Sequence, residues 1–369
     1  MTGLLNYSLQ TLLCATVICL FSLQRRNLDA YVALLVSFWT IAVVFIYAKY
    51  GVEQTSFYSN DQDAHFVILN EYLPQHGIPF RLEEMISWRY LAMLPAYFFS
   101  KIGFDGILML KFQQLVYLVL IYQLGRKFLQ RHQVDVKWWQ LILFCGPISI
   151  FMSVFALRDI PIAFFMALFI VETRRDHRLI GLAGTFLLRP HLAAALLVGQ
   201  LVAYIIRFVR PKYFLFTTAS IALVAYTSGA FMYYIGRRLQ YGLPLRSASK
   251  IFTQDKFSQM GANFVGLQFL TLNDSVVSAS TTSLLLGRLI FVDTWLVPLI
   301  FIGLLVQYSA VWTSQRIMLF TSFMFFFGLV SQTTSNSSRQ NIPFLVTMGL
   351  LAIVGIESRR QTKTLDLVS

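Results

Sequence analysis

The chain has 369 residues, of which 57% are hydrophobic, and its mean hydropathy is +0.63. Apolar runs of the 17–25 residues or so that a bilayer requires recur along it, which predicts an all-α polytopic membrane protein and excludes a soluble globular domain. The net charge is +13. We interpret the basic residues as markers of the cytoplasmic side rather than as a nucleic-acid binding surface, because Lys and Arg concentrate in the cytoplasmic loops of membrane proteins.

Basic clusters set the predicted topology. They lie at 25–26, 126–137, 174–178, 207–212 and 359–363. Placing all of them in the cytoplasm requires about eleven transmembrane helices, with the N-terminus outside and the C-terminus inside. We expect one integral membrane domain, residues 1–369, with spans at about 4–23, 30–49, 103–124, 138–156, 160–172, 179–188, 190–206, 213–235, 284–308, 312–333 and 341–356.

The first large outer loop, residues 51–102, is predicted to be acidic and to end in an interfacial helix. It contains the stretch SNDQDAHFVILNEYLPQHG (59–77), in which Asp61, Asp63 and Glu71 are candidate catalytic carboxylates. Such a group is suited to accept a proton from an attacking hydroxyl. The segment 86–100 is too short and too interrupted to span, and its aromatic residues suit a helix lying in the outer interface.

The same loop raises the question of a metal. Asp61, Asp63 and His65 are suitable ligand types for a divalent cation, but a single D-x-D pattern is a weak signal. We therefore expect no cofactor, with a divalent metal as the less favoured reading. His65 and His76 are expected to be surface residues of the loop.

The middle of the chain predicts short, broken hairpins. Residues 160–171 are apolar for only twelve residues, and residues 179–206 are flanked by basic clusters at both ends. Residues 160–171 are too short for one full span, and residues 179–206 are too short for two. The turns at 158–159 and 189–190 are therefore expected below the outer surface, lining a cavity.

Three arginines share one local pattern. ALRDIP (156–161), LLRPH (187–191) and SSRQNIP (337–343) each place an arginine shortly before a proline that is suited to begin a helix. A helix N-terminus is electropositive, so an added arginine favours an anion. Arg158, Arg189, Arg339 and His191 are thus candidate phosphate ligands. The structural alternative is that Arg158 pairs with a carboxylate such as Asp159, Arg189 satisfies backbone carbonyls and His191 belongs to the core.

The second long outer loop, residues 236–283, is basic. It includes Arg237 and Arg238, and two interpretations remain open. The loop is either solvated, because long translocated loops ignore the charge bias, or a cover for a phosphate-bearing ligand.

Carboxylates and arginines on one outer face suit glycosyl transfer from a lipid-linked phosphate donor. An acidic outer loop, an interfacial helix and short spans with LRD and RP turns resemble GT-C integral membrane glycosyltransferases and Wzy- or EpsG-like polysaccharide repeat-unit polymerases. The resemblance implies a catalytic aspartate at Asp61 or Asp63 and functional arginines at Arg158, Arg189 and Arg339.

The resemblance also implies the partners. The donor is expected to be a polyprenyl-(pyro)phosphate-linked saccharide and the acceptor a glycan, with the site facing the outside of a bacterial inner membrane. No nucleic-acid partner is expected. The alternative is a lipid-linked oligosaccharide flippase or a secondary transporter, which also uses broken helices and intramembrane charges.

Overall fold

The computed structural model describes residues 2–24, 29–51, 65–78, 88–134, 149–150, 153–154, 158–205, 220, 224, 314–330 and 342–366. Every regular element in these ranges is helical. The helices are α1 (Thr2–Gln24), α2 (Ala30–Tyr50), α3 (residues 65–76), α4 (Trp88–Lys101), α5 (Gly106–Arg131), α6 (Asp159–Val171), α7 (Arg175–Leu188), α8 (Pro190–Ile205), α9 (Ser314–Val330) and α10 (Ile342–Asp366).

Three of these helices are long and apolar enough to cross a membrane. They are the segments Gly3–Gln24, Ala30–Lys49 and Gly106–Arg131, while Asp159–Val171, Pro190–Ile205 and Pro343–Gly355 are shorter apolar helices. On α1 and α2 large apolar side chains such as Leu5, Leu20, Leu34 and Ile41 are more than 60% exposed. Contiguous apolar surface of this kind is suited to lipid rather than to water.

The described residues divide into two units, and the first comprises residues 1–124 and 145–161. Here α1 and α2 are antiparallel, because Tyr7 near the start of α1 stacks on Tyr47 near the end of α2, with 3.8 Å between ring centroids. Asp29 caps α2 by accepting the Val32 N–H at 3.1 Å and also accepts the Tyr122 hydroxyl of α5. These contacts define two ends of the unit.

The start of α2 and the described part of the acidic stretch, α3, belong to opposite ends of this unit. The Asp105 N–H, just before α5, donates to Gln10 of α1 at 2.8 Å. α3 lies near this end, because a Cβ on Gly106 would contact Leu69 at 3.5 Å. Asp29, at the start of α2, lies at the other end, where it accepts the Tyr122 hydroxyl.

The second unit comprises residues 125–144 and 162–369, and small residues bring its helices close together. A Cβ on Gly181 of α7 would lie 2.6 Å from the backbone nitrogen of Phe169 and 2.7 Å from the carbonyl oxygen of Phe165, both on α6. A Cβ on Gly199 of α8 would overlap the Ser322 hydroxyl of α9. Backbone contact of this kind is typical of helices that associate within a membrane.

The second unit has a basic end. The Gln315 amide at the start of α9 donates to the Ile170 carbonyl at the end of α6, at 3.3 Å. A Cβ on Gly355 of α10 would lie 2.8 Å from a guanidinium nitrogen of Arg316. The end of α5 and the start of α7 contribute further cations there, and Glu172, directly after α6, contributes a carboxylate.

The apolar runs predicted most helix positions within a few residues. Two helices continue past the predicted spans: α5 ends at Arg131 rather than 124, and α10 at Asp366 rather than 356. The added residues are rich in Arg, Lys, Gln and Leu, which are good helix formers, so basic clusters expected in loops lie on helices instead. The expected span at 284–308, most of those at 138–156 and 213–235, and the loop 236–283 lie outside the described residues.

Candidate functional site

Several predicted site residues lie outside the described part of the chain. These are Asp61, Asp63, Arg237, Arg238 and Arg339. Glu71 is described: it lies in the π-helical turn Ile68–Tyr72 at the centre of α3 and its side chain is exposed. An exposed carboxylate at this position is accessible to a substrate, and its catalytic role stays a prediction.

The expectation that both histidines of the acidic stretch are surface residues is wrong for His65. Its side chain is only 5% exposed, because the segment is a helix packed on its neighbours rather than an open loop. His76 is exposed as expected, and its ring stacks on Tyr72 with 4.5 Å between centroids.

Arg158 lies at a bend immediately before α6. Its side chain is partly buried, and within the described ranges its Nη1 atom is buried without a hydrogen-bond partner. Asp159, the first residue of α6, is fully buried, where a carboxylate complements the positive end of the helix dipole. The predicted start of a short helix after an arginine is therefore confirmed.

Arg189 forms a true break between two helices. It is 3% exposed, and its φ of −156° and ψ of 85° are not helical. Its N–H donates to the Thr185 carbonyl at 2.7 Å, and its own carbonyl accepts the Leu192 and Ala193 N–H groups at 2.9 and 3.2 Å. The turn thus ends α7 and begins α8 at Pro190 with one buried cationic residue between them.

His191 connects this break to α9 and α10. Its ring stacks on that of Phe326, with 5.6 Å between the ring centroids and 9° between the ring planes. The ring centroids of Phe326 and Phe344 are 5.3 Å apart. Phe344 is the third residue of α10, and Arg339 precedes that helix by three residues in the sequence. The starts of α8 and α10 therefore lie in one part of the second unit, on either side of Phe326.

The length of α7 and α9 gives the distance between the Arg189 break and the basic end of the second unit. On α7, eleven residues separate Arg189 from Arg178, whose guanidinium donates to the Phe169 carbonyl at 3.1 Å. Eleven residues also separate Gln315 from Phe326 on α9, which is in contact with His191. At 1.5 Å per residue both paths correspond to about 16 Å.

Glu172, directly after α6, is the centre of a charged cluster that the sequence analysis did not identify. Its carboxylate accepts hydrogen bonds from Arg131 at 2.8 and 3.1 Å and from Lys127 at 3.1 Å, and its side chain is 2% exposed. Burial acts to raise the pKa of this carboxyl, but the hydrogen bonds and charges of Arg131 and Lys127 outweigh it, and the pKa is lowered. Glu172 is therefore ionised at neutral pH.

A second group of contacts ties four helices together at the basic end. Arg178 of α7 donates to the Phe169 carbonyl of α6 and, at 2.5 Å, to the Gln200 side chain of α8. Gln315 of α9 donates to the next carbonyl of α6, that of Ile170. These donors satisfy carbonyl groups that a helix C-terminus leaves without intrahelical partners.

Lys111 is another residue that the sequence analysis missed. It is fully buried in α5, and Asp105 is a carboxylate whose charge acts on it. Gln114, one turn later, is 2% exposed, and its amide oxygen is buried without a partner among the described residues. Lys111 could have been identified as a candidate because it is a single lysine inside an apolar run, and ionisable residues within membrane spans are often functional.

Comparisons with family models, with curated proteins and with solved structures found no match to this chain. Within the described ranges, no group of three His, Cys, Asp or Glu side chains has the proximity of a metal site.

Proposed function

We propose that this protein is a membrane glycosyltransferase of the polysaccharide-polymerase type. It transfers a sugar or oligosaccharide from a polyprenyl-(pyro)phosphate-linked donor to a glycan acceptor at the extracytoplasmic face of a bacterial inner membrane. In this proposal Asp61 or Asp63 is the general base, with Glu71 as the next candidate. Arg158, Arg189, His191 and Arg339 bind the donor phosphate, and Arg237 and Arg238 cover it.

The observation that carries the proposal is the buried Arg189 at the break between α7 and α8. Basic clusters lie at the membrane surface, and Arg189 is about 16 Å along the helix axis from one of them. Because the hydrocarbon core is about 30 Å thick, this distance corresponds to about half of its depth. A cation held there at a helix start favours an anionic ligand, as in a cavity that receives a lipid-linked phosphate.

The chemistry requires groups of both signs. A carboxylate accepts the proton of the acceptor hydroxyl as the new glycosidic bond forms. Guanidinium groups stabilise the negative charge that develops on the departing phosphate or pyrophosphate. The acidic stretch and the basic residues at helix starts supply these two kinds of group.

The direct test is chain growth by purified protein in nanodiscs that contain a polyprenyl-pyrophosphate-linked oligosaccharide. Asp61→Asn or Asp63→Asn, whichever removes the true base, is expected to lower the rate about 10²–10⁴-fold with unchanged protein level. Asp176→Asn, an exposed acidic residue at the basic end, is the matched control and keeps full activity. Full activity in both variants of the acidic stretch would move the general base elsewhere.

A further variant tests the phosphate role of Arg189. Lysine keeps the charge but not the planar pair of donors, so Arg189→Lys is expected to raise KM for the donor and lower kcat/KM. Thermal unfolding of this variant checks that the fold is retained. A folded Arg189→Lys protein with unchanged kcat/KM would contradict a phosphate role.

The depth of the Arg189 break also supports a second candidate, a flippase or secondary transporter for lipid-linked oligosaccharides. Transporters place discontinuous helices and their substrate sites near the bilayer midplane. A transporter moves fluorescently labelled donor across proteoliposome membranes without consuming it. A transferase instead elongates the glycan and releases polyprenyl (pyro)phosphate in the same vesicles.

A further inference from the structure

The exposed side of α7 is a stripe that changes from basic to apolar. Arg175, Leu179 and Phe186 are spaced by four and seven residues, which places them on one helix face. Arg175 is exposed, and Leu179 and Phe186 are 55% and 44% exposed. The stripe is therefore charged in its first turn and apolar for the rest of the helix.

Arg175 carries a charge that no described residue compensates. Arg174 pairs with Asp176 at 3.1 Å, and Arg131 pairs with Glu172 at 2.8 Å. Arg175 forms no ion pair within the described ranges. Its charge is available to a ligand.

Two further cations are held nearby by the buried Glu172. Lys127 and Arg131 both bind this carboxylate, yet their side chains remain 53% and 31% exposed. Glu172 precedes Arg175 by three residues, so the chain between them spans at most about 11 Å. One carboxylate therefore keeps two exposed cations close to a third.

We propose that this surface binds the headgroup of an anionic phospholipid of the surrounding bilayer. The phosphate contacts Arg175, with Lys127 and Arg131 beside it, and the acyl chains lie along Leu179 and Phe186. Clusters of basic residues where a helix enters the membrane attract anionic headgroups electrostatically. A soluble anion uses only the basic part, so the apolar stripe favours a lipid. This inference is independent of the proposed glycosyl transfer.

The test is native mass spectrometry of the full-length protein in detergent, titrated with phosphatidylglycerol. Arg175→Gln is expected to weaken binding about fivefold, which corresponds to the loss of one surface cation. The matched control is Lys101→Gln, which removes an exposed cation at the end of α4, over the Tyr97 ring, and leaves binding unchanged. Thermal unfolding in the absence of lipid verifies that both variants are folded.

Three outcomes would overturn the proposal. Equal affinity of wild type and a folded Arg175→Gln protein for phosphatidylglycerol removes Arg175 from the site. Equal affinity of the wild type for phosphatidylcholine and phosphatidylglycerol removes the charge selectivity. Binding of glycerol 1-phosphate as tight as that of the whole lipid shows a soluble-anion site in place of a lipid site.

Discussion

At the scale of single residues, the clearest electrostatic arrangement is that of Glu172 with Lys127 and Arg131. Both cations belong to the end of α5, one helical turn apart, and the carboxylate belongs to the end of α6. A buried carboxylate is stable as an ion only when such donors surround it. Its contribution is therefore to join two helix ends rather than to add a surface ion pair.

Replacing this carboxylate by an amide provides a first stability test. Glu172→Gln keeps the shape but removes the charge under two cations, and we expect a loss of about 2 kcal/mol of unfolding free energy. Thermal unfolding in detergent measures this loss. Asp176→Asn is the control. The Asp176 carboxylate is 56% exposed, and among the described residues it contacts Arg174 and, at 3.9 Å, His177. Its replacement is expected to have no measurable effect on the unfolding free energy.

The same carboxylate predicts a dependence on pH. Because folding lowers the pKa of Glu172 below its ordinary 4.5, its stabilising effect is complete above that pH. It is lost as the pH falls through the lower pKa of the folded state. The unfolding temperature of the wild type should therefore drop more steeply than that of Glu172→Gln in this acidic range. Equal acid slopes would contradict the pairing.

Local patterns identified some of the candidate site residues but not others. Arg189 was predicted from its own neighbours, since an arginine and a proline between two apolar runs mark a break. Glu172 was missed because its partners lie 41 and 45 residues earlier, and nothing in its local sequence identifies them. His65 was wrongly predicted to be exposed. Its burial depends on packing of the short helix α3 against other parts of the chain, and the polar residues around it give no sign of that packing.

At the scale of helices, the contact of α6 with α7 depends on Gly181. A methyl group there would meet the backbone of α6 at 2.6–3.0 Å, and backbone is unable to rotate away. Gly181→Ala is therefore expected to separate the helices and cost about 1–3 kcal/mol, despite the better helix propensity of alanine.

A glycine in α1 provides the control for this prediction. A Cβ on Gly3 would contact the Tyr47 hydroxyl at an ordinary 3.6 Å, so Gly3→Ala should be neutral or slightly stabilising. Chemical denaturation of both variants in the same detergent compares them. A Gly181→Ala protein as stable as Gly3→Ala would show that α6 and α7 tolerate separation.

Helix positions were predictable where hydrophobicity alone determines them. The runs that became α2, α6 and α8 are bounded by charged residues or prolines, and that of α1 is followed by Arg25. The structure places the ends of these helices within about two residues of those expected. The ends of α5 and α10 were not predictable in this way. Their last turns are polar, and they remain helical through the propensity of Arg, Lys and Gln.

For the whole molecule, the predicted topology places residues 51–102 and 236–283 outside and the basic clusters in the cytoplasm. A cysteine introduced at position 62 or 260 is expected to react with a membrane-impermeant thiol reagent in intact cells, and one at Gln130 to react only after permeabilisation. Gln130 is suitable because it is exposed, whereas the adjacent Leu129 is fully buried. Cys14, Cys19 and Cys145 are replaced beforehand. The reverse labelling pattern would invert the topology.

The shortness of α7 has a consequence for the bilayer itself. Its exposed apolar side chains run only from Leu179 to Leu187, about 12 Å of helix, whereas those of α1 run from Leu4 to Leu23, about 28 Å. A hydrophobic mismatch of this size is accommodated by local thinning of the membrane. Acyl-chain length should therefore act on the protein: short-chain lipids stabilise the α6–α8 region, and long-chain lipids strain it.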